Sequence, residues 1–106
     1  MPTEEPSVSV GASSGRARLH VLVHGFVQGV GFRYYTIEVA SDLGLTGWVR
    51  NLKDGSVEAV AEGERAQLDR WLAALQLGRS GAQVTRVEAE WQAPSGEFRS
   101  FSLQHL

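Results

Sequence analysis

At 106 residues the chain has room for one compact core and not for two. Its 42% hydrophobic and 21% charged content is ordinary for a soluble globular domain, and a formal net charge of −2 advertises no polyanionic partner. With no cysteine, disulfides, thiolate nucleophiles and Cys-type zinc sites are excluded together.

No apolar run approaches the roughly 18 residues that a membrane span needs. Glu4 and Glu5 stand where a secretory leader would be basic, and no apolar segment follows them, so the expected location is cytoplasmic. Met1 to about Gly15 is rich in Ser, Gly, Pro and Glu. It has too little apolar surface to offset its ordering entropy and reads as a mobile tail, with residues 16–106 as the folded domain. Only the Ser7-Val8-Ser9-Val10 alternation hints at an extra edge strand.

From Arg18 to His24, Leu19, Val21 and Val23 alternate with Arg18, His20, Leu22 and His24, which predicts a half-buried strand. His20 and His24 share a face, but four strand residues span roughly 13 Å, too far to chelate one metal. They read as surface histidines. Next comes His24-Gly25-Phe26-Val27-Gln28-Gly29-Val30-Gly31-Phe32-Arg33, with three glycines in seven residues. A helix follows from about Phe32 to Leu43, with Phe32, Tyr35, Thr36, Val39, Ala40 and Leu43 on one stripe and Gly44 to end it.

Leu45 to Leu52 predicts a second strand, Asp54-Gly55 a tight turn, and Ser56 to Glu62 a returning third strand. In the third strand Val57, Ala59 and Ala61 face one way and Glu58, Val60 and Glu62 the other. Glu64 to Leu77 is a second amphipathic helix on Leu68, Trp71, Leu72 and Leu75, ended by Gly78. After a polar loop from Arg79 to Gln83, Val84 to Trp91 forms a fourth strand, with Val87, Ala89 and Trp91 inward. Phe98, Phe101 and Leu103 predict a short last strand covering an edge or the core rim. This order is that of an α+β, ferredoxin-like split β-α-β sandwich. It has an antiparallel sheet, two helices on one face, and the first and third strands at the centre.

Two stretches carry chemistry. The glycine turn lies between a strand and a helix. Its amides can converge on one anion beside the positive helix end, with Arg33 to close the cradle. A plain Gly-rich connection that binds nothing fits that stretch equally well. In the second stretch, Gly47-Trp48-Val49-Arg50-Asn51, the carboxamide of Asn51 falls near a strand end. There it can orient a water or simply serve the turn, and for Asn51 taken alone the turn is the better reading.

Together the two stretches resemble the two signatures of the acylphosphatase family. The first is Gly25 followed by Val27-Gln28-Gly29-Val30-Gly31-Phe32-Arg33; the second is Gly47 to Asn51 with Asp54-Gly55-Ser56-Val57-Glu58. The resemblance runs from about Arg18 to Leu103 and takes in Ala61-Glu62-Gly63 and Gly96-Glu97-Phe98. It implies a ferredoxin-like sandwich that hydrolyses acyl phosphates to a carboxylate and inorganic phosphate, with no metal and no cofactor. It further implies that Arg33 and the loop amides of Gln28, Gly29, Val30, Gly31 and Phe32 bind the phosphate, and that Asn51 positions the attacking water. Phe26 and His24 depart from residues common in the family, at the rim of the expected site.

Other phosphate motifs fail. Tyr34 stands where a dinucleotide fingerprint needs its third glycine, and no Gly-Lys-Ser or Gly-Lys-Thr forms a P-loop. An RNA-recognition domain shares the element order. Its third strand would need aromatic and basic residues, where Ser56 to Glu62 offers no aromatic and two glutamates. The remaining rival is a non-enzymatic anion-binding module. Similar domains also begin larger carbamoyl-transferring proteins, but no zinc-binding segment follows in this chain. The expectation is a monomeric enzyme acting on small acyl phosphates, with no nucleic-acid or membrane partner.

Overall fold

The computed structural model describes residues 15–105, so the expected tail and its Ser7 to Val10 alternation lie outside the described residues except at Gly15. Alternation builds the sheet. β1 (Arg16–Phe26) buries Leu19, Val21 and Val23 completely, and β3 (Val57–Glu64) sets Ala61, Ala59 and Val57 directly opposite them. β2 (Thr46–Asn51) adds Val49 to the same face.

The two helices close over that face. α1 (Phe32–Asp42) buries Phe32, Thr36 and Ala40, and α2 (Arg65–Leu77) buries Leu68, Trp71 and Leu75. Two polar contacts fix their relative position: the Tyr35 hydroxyl donates to the Ala74 carbonyl at 2.9 Å, and Trp71 Nε1 donates to the Thr36 carbonyl at 3.3 Å. Both groups therefore reach an acceptor inside the apolar layer, where an unpaired donor would be costly.

With β4 (Gln83–Gln92) and β5 (Phe101–Leu103) the strand order is β4-β1-β3-β2-β5. β1 and β3 are adjacent at the centre, and this is the expected α+β, ferredoxin-like sandwich. The sheet is antiparallel except at one edge, where β5 runs parallel to β2. Phe101 anchors that edge by meeting Trp71 edge-on, with ring centroids 5.9 Å apart. Phe98 lies before this strand rather than in it, and Gln83 belongs to β4 rather than to the loop. Ala89, expected inward, is exposed although it pairs with the buried Val21, because β4 forms the outer edge of the sheet.

The opposite face of the sheet is covered in part. Val60 and Glu62, on the side of β3 away from the helices, are 2% and 1% exposed. The chain must pass from β4 at one edge to β5 at the other, and the connecting segment, residues 93–100, crosses this face. Glu62 fastens it. Its carboxylate accepts from Ser95 N at 2.9 Å, Ser95 Oγ at 2.8 Å, Gly96 N at 2.9 Å and Arg18 Nη1 at 2.9 Å. The Arg18 guanidinium also stacks on Phe98, 5.4 Å from the ring centroid.

Burial opposes ionisation of Glu62, but these four donors outweigh it and hold the carboxyl at about 2, down from 4.5. A carboxyl lowered on folding stabilises the fold fully above its unfolded value near 4.5, and that contribution disappears as the pH falls through about 2. The shift corresponds to roughly 3 kcal/mol. Glu62→Gln turns an amide N–H₂ toward the donors and unpairs Arg18. It is expected to cost about 2–4 kcal/mol in urea unfolding at pH 7 and to flatten the loss of stability between pH 4.5 and 2. An unchanged midpoint would show that the crossing segment is held by something else.

Candidate active site

The glycine stretch joins β1 to α1 at one end of the sheet. Gly29 and Gly31 have φ of 76° and 79°, the left-handed region that a side chain resists, and they fold the turn back so that Gly31 caps α1. This cap supplies no side-chain acceptor, and the first helical turn carries no acidic residue. The first helical bond runs from Tyr35 N to the Gly31 carbonyl at 3.0 Å. The amides of Phe32, Arg33 and Tyr34 precede that bond in the first helical turn and have no carbonyl partner within the helix. A helix end left uncapped in this way offers donors and partial positive charge to an anion.

A depression of about 220 Å³ opens here, lined by Val27, Gly29, Gly31, Phe32, Arg33 and Tyr34. Arg33 is the second residue of α1, and no carboxylate of the described residues lies within 4.0 Å of it. Its guanidinium is thus uncommitted, a planar five-donor fork suited to phosphate oxygens. Of the residues expected to bind, Gly29, Gly31, Phe32 and Arg33 line the depression, and Gln28 and Val30 do not.

Gln28 has a different place, which the sequence did not suggest. Its Nε2 donates to the Leu52 carbonyl at 2.7 Å and the Ser56 carbonyl at 2.8 Å, gripping both sides of the β2–β3 turn. Asp54 braces that turn from within by accepting from Ser56 N at 2.9 Å and Ser56 Oγ at 2.5 Å. These Ser56 bonds, side-chain first, lower the Asp54 pKa. The glycine loop is therefore tied to the segment that begins one residue after Asn51, the last residue of β2. Asn51 Oδ1 is buried, and no protein group donates to it.

Phe26 is 62% exposed and lines none of the depression. His24 turns to the open face of the sheet, where its Nε2 is 2.7 Å from Glu88 Oε2; His20 is likewise 2.7 Å from Glu58 Oε2. Both rings are only about a quarter exposed, with 26% for His20 and 24% for His24, so they are paired rather than free surface histidines. A second depression of about 220 Å³ lies on that face, lined by His20, Leu22, Glu88, Ala89 and Glu90. Hydrogen bonds from Arg86 and His24 lower the Glu88 pKa and keep it ionised, so two carboxylates give this surface the wrong sign for phosphate. Among the described residues, no three His, Asp or Glu side chains form a group able to hold a metal ion.

Fold and loop together define an α+β sandwich with a glycine turn and an arginine at one end of its sheet. The family model for acylphosphatase matches residues 19–103. An acylphosphatase of Trichormus variabilis is 51% identical over 89 residues, spanning 84% of this chain and 87% of that one. One from Syntrophotalea carbinolica is 49% identical over 87 residues, spanning 82% and 95%. The crystal structure of acylphosphatase from Bacillus subtilis superposes with a TM-score of 0.80 at 34% identity, covering 83% of this chain and 98% of that one. The chain belongs to the acylphosphatase family, and its activity is the hydrolysis of acyl phosphates.

Proposed function

We propose that Arg33 and the amides of Gln28, Gly29, Val30, Gly31 and Phe32 hold the phosphoryl group, that Asn51 positions the attacking water, and that no metal ion takes part. The observation carrying this reading is the Arg33 guanidinium, which lines the depression at the start of α1 with no carboxylate of the described residues within 4.0 Å. On this reading the Asn51 carboxamide, whose oxygen no protein group satisfies, accepts an O–H of the attacking water. Accepting that proton fixes the water and points a lone pair away from the carboxamide, toward the phosphorus.

The chemistry asks little more. Water oxygen bonds to phosphorus, and the bond from phosphorus to the acyl oxygen breaks with its electron pair leaving on the carboxylate. A dianionic acyl phosphate and water give a carboxylate and dihydrogen phosphate, so both water protons end on the phosphate product. The carboxylate is a stable leaving group unprotonated, and no strong general acid is required. In-line positioning and charge neutralisation remain, and a guanidinium with preorganised amides supplies them. A non-enzymatic anion-binding module would keep the cradle and lack turnover.

Purified protein is expected to hydrolyse benzoyl phosphate at the same rate with and without EDTA. Loss of activity in the chelator would overturn the metal-free reading. A folded protein that binds phosphate without turnover would overturn the assignment of Asn51.

A further inference from the structure

A second guanidinium lies against the glycine loop. Arg79 sits in the turn between α2 and β4, which is closed by Ala82 N donating to the Arg79 carbonyl at 3.0 Å. A Cβ built on Gly31 would come 2.9 Å from Arg79 Nη1 and 3.6 Å from its Cζ, so the guanidinium rests beside the residue that caps α1. That is an unfavourable place for a cation on its own, because the helix end is itself positive and its first turn holds no acidic residue. No carboxylate of the described residues lies within 4.0 Å of Arg79. Its one hydrogen bond is from Nε to the Ser80 carbonyl at 3.3 Å, which leaves the Nη donors uncommitted. Arg79 does not line the depression that takes in Gly31 and Arg33; it flanks it.

We propose that Arg79 is a specificity residue of this enzyme. It binds a carboxylate carried on the acyl group while the phosphoryl group occupies the adjoining cradle, and so favours acyl phosphates of dicarboxylic acids. The proposal rests on the reading that the glycine loop holds the phosphate. Two like charges converge on one short loop with nothing acidic between them, and a doubly anionic substrate neutralises both. The planar fork of arginine matches a carboxylate, and its position on the flank rather than in the depression suits the acyl end of the molecule.

Succinyl phosphate and butyryl phosphate have acyl chains of the same length, but only the first ends in a carboxylate. For Arg79→Gln, kcat/KM on succinyl phosphate is expected to fall roughly 5- to 10-fold, mainly through KM, and far less on butyryl phosphate. Arg79→Lys should restore part of the loss, and raising the salt concentration should erode the parental preference. Equal losses on both substrates would mean that Arg79 serves the phosphoryl group, and no loss on either would mean that it serves neither; each result overturns the proposal. The residue lies in an exposed turn, and an unchanged urea midpoint excludes misfolding. Failure of the underlying reading looks different: Arg33→Ala or Asn51→Ala would then turn over butyryl phosphate at the parental rate, whatever the substrate ratio of the Arg79 variants.

Discussion

Arg33→Ala is expected to lower kcat/KM on benzoyl phosphate by about 10³-fold or more and to abolish inhibition by inorganic phosphate. Arg33 stands in the first turn of α1 and lines the same depression as Gly29, Gly31 and Phe32. On the proposed reading it meets the phosphoryl oxygens in the ground state and more strongly as charge builds on them in the transition state. Removal of one preorganised donor costs about 10²–10³-fold, and loss of an arginine acting on a transferring phosphoryl group costs about 10³–10⁵-fold. Arg33→Lys should recover only a fraction, because an ammonium is a point charge without the planar fork. Stability should hardly move, since Arg33 is no part of the apolar core and has no ion-pair partner among the described residues. A folded Arg33→Ala protein with parental kcat/KM would remove the arginine from the mechanism.

Asn51→Ala separates binding from turnover. The rate is expected to fall by roughly 10²-fold or more, by analogy with the loss of a single catalytic hydrogen-bonding group, while phosphate still inhibits with nearly the parental constant. Stability supplies a second readout. No protein group donates to Asn51 Oδ1, so alanine removes no protein hydrogen bond at that oxygen. The urea midpoint should therefore stay level as turnover drops. A group that loses activity and keeps stability when truncated is being held for function rather than for folding. If Asn51→Ala instead unfolds readily and keeps its rate per folded molecule, the asparagine is a turn residue after all.

Much of the fold was legible because its core follows simple periods. Leu19, Val21 and Val23 repeat at two, Leu68, Trp71 and Leu75 at three and four, and all are buried. Glycine and arginine at a strand-to-helix junction located the loop, and a motif-bearing strand placed Asn51 at its end. Periodicity assigns a face, however, and says nothing about what later covers that face. Glu62 points away from the helices as its alternation requires, yet it is buried where Ser95 and Gly96 of the crossing segment bond to it. Ala89 shows the converse, an inward position that no neighbour covers. The parallel partnership of β5 with β2 has no local sequence cue, because it depends on where that crossing segment ends. Gln28 was read for its backbone alone; its side chain reaches carbonyls 24 and 28 residues further on, beyond any local pattern.

That reach has a consequence for how the protein becomes active. The glycine loop is pinned to a turn far along the chain, and β1, which leads into the loop, pairs with β3 and with β4, where Arg18 faces Gln92. No short stretch can preassemble the site, and an isolated β1-loop-α1 unit would have nothing for Gln28 to grip. Closing such distant contacts is slow compared with helix formation, because chain entropy is lost before they yield anything in return. Catalytic competence therefore arrives late, with the completed strand order rather than with the helices. A refolding chain, or one emerging from the ribosome, stays inert toward acyl phosphates until its topology is finished.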